Sequence, residues 1–325
     1  MRVLVGDVGG TKTGLAVAET MGDKVQLDHE RRYRSQDFAN LEALLCRYVD
    51  DTGAHCEVAS LAIAGPVRDG HSRTTNLPWE VDAAGIQRAL GLSSARLLND
   101  LEAIAWGLGA LGADDVAVIH PGAPDSVGNA CVVAAGTGLG EAGLYWDGRR
   151  HLPFATEGGH TDFAPTDERE FGLYRFLQRS FGHVSWERVA SGTGIGNLHA
   201  FLLEWHGAAC PDWLTEEMST GDPSAAIAKA AADAKCPICT EAMDLFAGLY
   251  GREAGNVALK HLALGGVYLG GGVAPKNLDL LRKGEFLAGF LDKGRMRPLV
   301  ELMSVKVILE QRTPLFGAAR YLDRG

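Results

Sequence analysis

The stretch Val3-Leu-Val-Gly6-Asp7-Val8-Gly9-Gly10-Thr11-Lys12-Thr13-Gly14-Leu-Ala-Val17 decides how the rest of the chain is read. Aliphatic and β-branched runs flank a turn with Gly9 and Gly10 at its tip, the pattern of a tight β-hairpin whose bend exposes backbone amides. Glycine tolerates positive φ and carries no side chain to hold an anion off those N–H groups, and Thr11 adds a hydroxyl donor. The bend therefore suits a phosphate, with Asp7 leaving the first strand where a carboxylate can face Mg²⁺ or its water shell. Taken alone, a Gly-Gly between strands is more often a plain turn.

The pattern recurs from Asn129. Apolar residues 130–135 lead into Gly136-Thr137-Gly138-Leu139-Gly140, and a second apolar run follows to Trp146. Two copies of strand, glycine-threonine bend and return strand read as a duplicated fold whose similar halves face one cleft, where two amide-lined bends would clasp a nucleotide's phosphates. Further on, Gly270-Gly271-Gly272 ends a strand ahead of a helix opened by Pro275, so backbone can approach a flat ligand such as adenine. A flexible turn is the plainer reading of the three glycines. Gly192-Thr193-Gly194, before a helix through Leu203, is either an N-terminal turn or a third nucleotide contact.

Two polar segments complete the set. Asn99-Asp100 closes a strand over 95–98 and precedes a helix over 101–111, the sheet edge where α/β proteins place their ligands, although either residue also reads as a helix cap. Glu157-Gly158-Gly159-His160-Thr161-Asp162 is a knot whose glycines let Glu157 and His160 come to one side of a loop, as a polyhydroxylated ligand requires. Trp186-Glu187-Arg188 lies in a short link.

Composition limits the remaining choices. The chain has 325 residues, 46% of them hydrophobic and 22% charged, enough for two domains with their own cores. A formal net charge of −10 with no basic face argues against a nucleic-acid partner. No run reaches the roughly 18 apolar residues of a membrane span, and the N-terminus lacks the pattern of a secretory signal, so a cytoplasmic protein is expected.

Residues 37–49 have helical spacing with Asp37 at their start, Asn76-Leu-Pro-Trp79 reads as an irregular link, and Asp82 caps a short helix. Residues 215–235 read as surface helices and loop, 236–264 as a long amphipathic helix with Gly255 marking a close contact or bend, 304–309 as a last strand and 313–322 as a final helix. That helix is apolar enough to pack back on the N-terminal domain, which would join the domains by two crossings, the wiring of a hinge. Cys131, in an apolar run, reads as a buried thiol. Cys236-Pro-Ile-Cys239 is the only close cysteine pair. With His206 and Cys210 a zinc set can be written, but there is no second CxxC, and reduced thiols at a helix start are the favoured reading.

In order and spacing, Gly6-Asp7-Val8-Gly9-Gly10-Thr11, Leu98-Asn99-Asp100, Gly136-Thr137-Gly138-Leu139-Gly140, Glu157-Gly158-Gly159-His160-Thr161-Asp162-Phe163, Ser191-Gly192-Thr193-Gly194 and Gly270-Gly271-Gly272 resemble the bacterial ATP-dependent glucokinases, members of the actin-like, ribonuclease H-like sugar kinases. The resemblance runs from the first strand to the last helix. It implies a two-domain α/β fold with a cleft between the domains: a small domain of residues 1–110 plus 301–325 and a large domain of residues 111–300. It also implies ATP with Mg²⁺ as cofactors, D-glucose as substrate, a cytoplasmic homodimer, and transfer of the γ-phosphoryl group to the sugar 6-hydroxyl. Asp100 is the implied catalytic base, and Asn99, Asp100, Glu157, His160 and Glu187 the implied sugar site. The nucleotide falls to Gly6, Asp7, Val8, Gly9, Gly10, Thr11, Gly136, Thr137, Gly138, Gly270, Gly271 and Gly272, with Asp7 on the metal. Lys12-Thr13-Gly14 is closer to the related repressor, open-reading-frame and kinase (ROK) family. That group's cysteine-rich zinc motif, however, is absent after Glu157-Gly158-Gly159-His160, where Asp162-Phe163-Ala-Pro follows, and no DNA-binding helix-turn-helix precedes the first strand. Three rivals remain: a kinase for another hexose or amino sugar, a non-catalytic sugar sensor, and an actin-like structural ATPase.

Overall fold

The computed structural model describes residues 2–22, 24–74 and 77–323. Asn76, where the irregular link was expected to begin, lies outside the described residues. The chain divides into two compact units, Met1–Asp115 with Leu152–Ala155 and Glu310–Gly325, and Val116–His151 with Thr156–Leu309.

In the first unit the strands are β1 (Arg2–Val8), β2 (Lys12–Met21), β3 (Lys24–Arg34), β4 (Val58–Ile63), β5 (Val67–Arg68), β6 (His71–Arg73), β7 (Glu80–Asp82) and β8 (Ser94–Asn99). Five of them form a sheet of order β3-β2-β1-β4-β8, antiparallel from β1 to β3 and parallel from β1 to β8; β5, β6 and β7 form a small antiparallel sheet. Val8 pairs with Thr13, which leaves residues 9–11 as the expected bend. Helix α1 (Leu41–Thr52) buries Leu41, Leu44, Leu45 and Tyr48, a stripe at helical spacing, in a cluster with Leu15, Leu61 and Ile63 of the sheet. Each such side chain contributes about 1.5–3 kcal/mol. The sequence placed the start of this helix at Asp37. Residues Ser35–Asp37 form a 3₁₀ turn instead, and Asn40 caps α1 by accepting the Ala43 N–H. Asp82 caps α2 (Ala83–Leu90) as expected, and α3 (Asp100–Gly107) follows β8 directly. The chain's last helix, Thr313–Arg320, brings Leu315, Ala318 and Ala319 against Val3, Val5, Ala16 and Leu98.

The second unit contains β9 (Val116–His120), β10 (Ala130–Ala135), β11 (Leu139–Trp146), β13 (Gly266–Gly270) and β14 (Val305–Ile308), and its sheet has the order β12-β11-β10-β13-β14-β9, where β12 is His151–Thr156. β11 runs antiparallel to β10, whereas β13 and β14 run parallel to it, as β2, β4 and β8 do around β1. The repeat seen in the sequence is thus a repeat of sheet topology. Residues 301–309, grouped with the small domain in the sequence reading, enter this second sheet because β14 is laddered to β13 on one side and β9 on the other. Residues 111–115 cluster with the first unit.

The longer helices here are α4 (Glu168–Phe181), α5 (Gly192–His206), α6 (Asp212–Thr220), α7 (Pro223–Ala232), α8 (Pro237–His261) and α9 (Glu285–Leu291). α8 was expected to be amphipathic, yet 14 of its 25 residues are buried. It is the central helix of the unit. At Gly255 a Cβ would meet the Phe290 carbonyl oxygen at 2.5 Å, so glycine is what lets α9 approach. α6 and α7 cover the region expected to be solvated, although Leu214, Ile227 and Ala230 are buried. Cys131 is fully buried, and that burial pushes its thiol pKa up. Among the described residues no helix is long and apolar enough to cross a membrane.

Candidate active site

In the first unit, Ser35 organises the β1–β2 bend. Its hydroxyl donates to the Gly9 carbonyl at 2.7 Å, its N–H donates to the Thr11 carbonyl at 3.1 Å, and the Gly9 N–H donates to Lys12 at 3.1 Å. The bend's acceptors are thereby drawn inward, which lowers the repulsion an anion would meet. Thr13 holds the buried Ser35 hydroxyl at 3.0 Å. Nothing in the sequence pattern marked Ser35. Gly6 and Val8, assigned to the nucleotide by the resemblance, face the core. Val8 is fully buried, and a Cβ on Gly6 would meet Leu61 at 2.7 Å and Leu15 at 2.8 Å.

Asp7 pairs with Gly14, and Gly14 pairs with Arg32, so the three sit side by side across β1, β2 and β3. With Lys12, Arg31 and Arg312 they line a cavity of about 320 Å³. Asp7 keeps part of its surface open, but the atoms around it strip water from its carboxyl. Burial pushes its pKa up to about 6, and Arg32 opposes the rise. A desolvated carboxylate so placed suits a hard cation such as Mg²⁺.

At the carboxyl end of β8, Asn99 does cap α3. Its side-chain oxygen accepts the N–H groups of Leu101 at 2.9 Å and Glu102 at 3.3 Å, and its amide donates to the Gly65 carbonyl at 3.1 Å. Asp100 is the first residue of α3, and its Oδ1 accepts the Leu101 N–H at 3.0 Å.

The second unit brings the β10–β11 bend onto the start of α5. Gly136 donates to the Gly138 carbonyl at 2.8 Å, Gly192 donates to the Gly136 carbonyl at 2.8 Å, and the Thr193 hydroxyl donates to the Thr137 carbonyl at 2.5 Å. Gly192, Thr193 and Gly194 are therefore not a turn before the helix; they are its first turn, capped by the Ser191 hydroxyl. Between this helix start, Gly136, Thr137, Gly272 and α7 lies a cavity of about 920 Å³. Ile195, Ala225, Ala228 and Val273 give it an apolar wall, and Asn197, Asp222, Lys276 and Asn277 give it polar groups. That mixture, at that size, suits a nucleotide, and the amides at the start of α5 suit its phosphates. Of the three consecutive glycines only Gly272 lines the cavity; Gly270 ends β13, and Gly271 takes a positive φ of 75°.

Glu187 ties the bend to the polar knot. Its Oε2 accepts the Leu139 N–H at 3.1 Å, and its Oε1 lies 4.0 Å from His160 Nδ1. On the other side of the imidazole, Nε2 is 4.0 Å from Glu157 Oε2. These separations are longer than direct hydrogen bonds and leave the three polar groups available to hydroxyls. Gly138 must stay small, because a Cβ there would run into the Glu187 carboxylate. The knot is steadied from behind: His183 donates to the His160 carbonyl at 2.9 Å, and the Thr156 hydroxyl donates to the Glu141 carbonyl at 3.0 Å. Glu141 and Glu253 form a buried carboxyl pair, and burial pushes both upward in pKa.

A family profile for glucokinases matches residues 4–325. The glucokinase of Nostoc punctiforme is 38% identical over 98% of this chain and 97% of its own length, and that of Saccharophagus degradans is 34% identical over 99% and 98%. The chain belongs to the glucokinase family. A crystal structure of a glucokinase from an Antarctic psychrotroph superposes with a TM-score of 0.85 at 28% identity, covering 100% of this chain and 99% of that one. A ROK family glucokinase from Streptomyces griseus, solved with glucose and AMPPNP, shares the fold at a TM-score of 0.68 and 19% identity over the full length of both chains. Glucokinase-family membership and these superpositions give the chain the actin-like sugar kinase fold, an α/β architecture, as the motifs implied.

Proposed function

We propose that this chain transfers the γ-phosphoryl group of ATP to the 6-hydroxyl of D-glucose, giving glucose 6-phosphate and ADP. The observation that carries the reading is Glu187, which braces the glycine bend beside the nucleotide-sized cavity with one oxygen and turns the other toward His160. Membership of the glucokinase family supports glucose and ATP as the reactants.

The nucleotide occupies the cavity bounded by Gly136, Thr137, α5 and Gly272, and Gly9, Gly10 and Thr11 offer amides to phosphate oxygens. Asp7 would hold Mg²⁺, directly or through water, and the cation would neutralise phosphate charge. Glu157, His160 and Glu187 hydrogen-bond sugar hydroxyls, with Asn99 supporting the start of α3. A site built on such pairings rejects an analogue lacking one hydroxyl by up to about 10⁴–10⁵. Asp100 accepts the proton of the 6-hydroxyl as the bond from that oxygen to phosphorus forms and the bond between the γ-phosphorus and ADP breaks. General-base assistance of this kind is worth about 10²–10⁴ in rate. Family membership also supports a cytoplasmic homodimer, which sedimentation tests by a mass twice that of one chain.

ADP release measured without sugar and with glucose, fructose, mannose and N-acetylated amino sugars tests the proposal. Glucose is expected to give the highest kcat/KM. Faster turnover of another sugar would make the chain a kinase for that sugar, and sugar binding without ADP release would make it a sensor.

A further inference from the structure

The buried thiols at the start of α8 have a partner that the sequence did not point to. His206, written into the zinc set from sequence, is exposed at the end of α5 and pairs with Glu241 at 2.9 Å. Two helical turns earlier, His199 is 3% exposed and its Nε2 is buried with no hydrogen-bond partner among the described residues. Its ligand atom and the sulfurs of Cys236 and Cys239 all lie within 4.8 Å of one another. Cys236 is 4% exposed and Cys239 fully buried, and both are free thiols.

An orphaned imidazole nitrogen in a core costs about 1–3 kcal/mol unless something accepts or donates there. The two thiols beside this ring give Nε2 no hydrogen bond, and a thiol is in any case a weak donor and a weak acceptor. A tetrahedral Zn²⁺ with bonds of about 2.3 Å to sulfur and 2.0–2.1 Å to nitrogen spaces its ligand atoms about 3.5–3.8 Å apart, inside the observed limit. Burial keeps His199 neutral by lowering its pKa, and the neutral ring is the form that ligates. Cys236 caps α8, its sulfur accepting the Cys239 N–H at 3.3 Å, so both sulfurs are held at the first turn of that helix. A redox role fits poorly, since exchange needs an accessible sulfur and both are enclosed.

We propose that His199, Cys236 and Cys239 bind a structural Zn²⁺ that clamps α5 to the start of α8. Cys210, packed against the same core and acting electrostatically on Cys239, is a candidate for the fourth ligand. The clamp holds the helix whose first turn faces the nucleotide cavity, and it is independent of which sugar is phosphorylated. It also differs in position from the cysteine-rich motif sought after His160.

The test uses the full chain, purified under reducing conditions from zinc-replete cells without chelator. Elemental analysis is expected to give about one zinc per chain. After stripping, Co²⁺ added in place of zinc is expected to give the intense visible bands of a tetrahedral ion with thiolate charge-transfer absorption. C239S and H199F are each expected to lose the stoichiometric metal, and chelation to lower the Tm of the wild type but not of these variants. If either variant fails to fold, the wild-type cobalt spectrum decides by itself. Protein free of stoichiometric zinc, or Co²⁺ giving only the weak bands of an octahedral ion, overturns the proposal.

Discussion

The bend between β1 and β2 has its carbonyls drawn back by Ser35, a side chain from beyond β3, whereas the bend between β10 and β11 has its carbonyls drawn back by the first turn of α5. Around the first stand charges, Asp7, Lys12 and Arg32. Around the second stand backbone and small residues, enclosing a cavity. One sequence pattern has thus been put to two uses. In the proposed reaction the first unit contributes charge, through Asp7 and Asp100, and the second the cavity and polar groups for the substrates.

That division predicts which kinetic constant each substitution moves. Asp100→Asn keeps the geometry of the α3 start and removes the base, so kcat is expected to fall about 10²–10⁴-fold in a coupled ADP-release assay. In the second unit, Gly138→Ala drives a methyl group into the Glu187 carboxylate and moves it away from both Leu139 and His160. Displacing Glu187 from the sugar hydroxyl it is proposed to bind is expected to lower kcat/KM for glucose by roughly 10–100-fold. A fall confined to ATP saturation would break the link between bend and knot.

Asp7→Asn is expected to raise KM for Mg-ATP by about tenfold, through loss of one charge on the cation. It also has a pH signature. The folded carboxyl titrates near 6 and its unfolded counterpart near 3.8. Between those values the folded state binds the proton more tightly, so this group's contribution to stability is greatest at the acid end and is lost as pH rises through the window. The ligand-free Asp7→Asn protein is therefore expected to melt higher than the wild type above pH 6, with the gap closing as pH falls. Mg-ATP affinity of the wild type moves oppositely, weakening by up to roughly tenfold per pH unit below the carboxyl's pKa. Ser35→Ala is the smallest expected effect, about 1–2 kcal/mol of stability with a few-fold rise in KM for ATP, because it frees bend carbonyls without touching a charge.

Local chemistry was legible in the sequence. Both hairpins, the Asp82 cap, the short link at Glu187 and the close contact at Gly255 follow from residues adjacent in the chain. What depends on residues distant in sequence was not. Ser35 supports Gly9 from the far end of β3, and α7 walls the nucleotide-sized cavity although its alanines read as a solvated surface. Residues 301–309 cluster with the second unit, where β14 pairs with β13 and β9, a pairing invisible without the sheet. Asp37 was read as the helix start, but the Ala43 N–H donates to the Asn40 side chain and puts the cap three residues later. Gly6 was read as part of a phosphate loop, but its lack of a side chain serves packing against Leu15 and Leu61. His199 and His206, two turns apart on one helix, have the same spacing signal, and only burial separates them.

The most direct test of the division between charge and shape is the equilibrium affinity of the Asp100→Asn protein for glucose, titrated without nucleotide. A dissociation constant within about threefold of the wild type is expected alongside the collapse of kcat. Loss of glucose binding in step with loss of turnover would contradict it, because Asp100 would then belong to the holding surface and not to the chemistry.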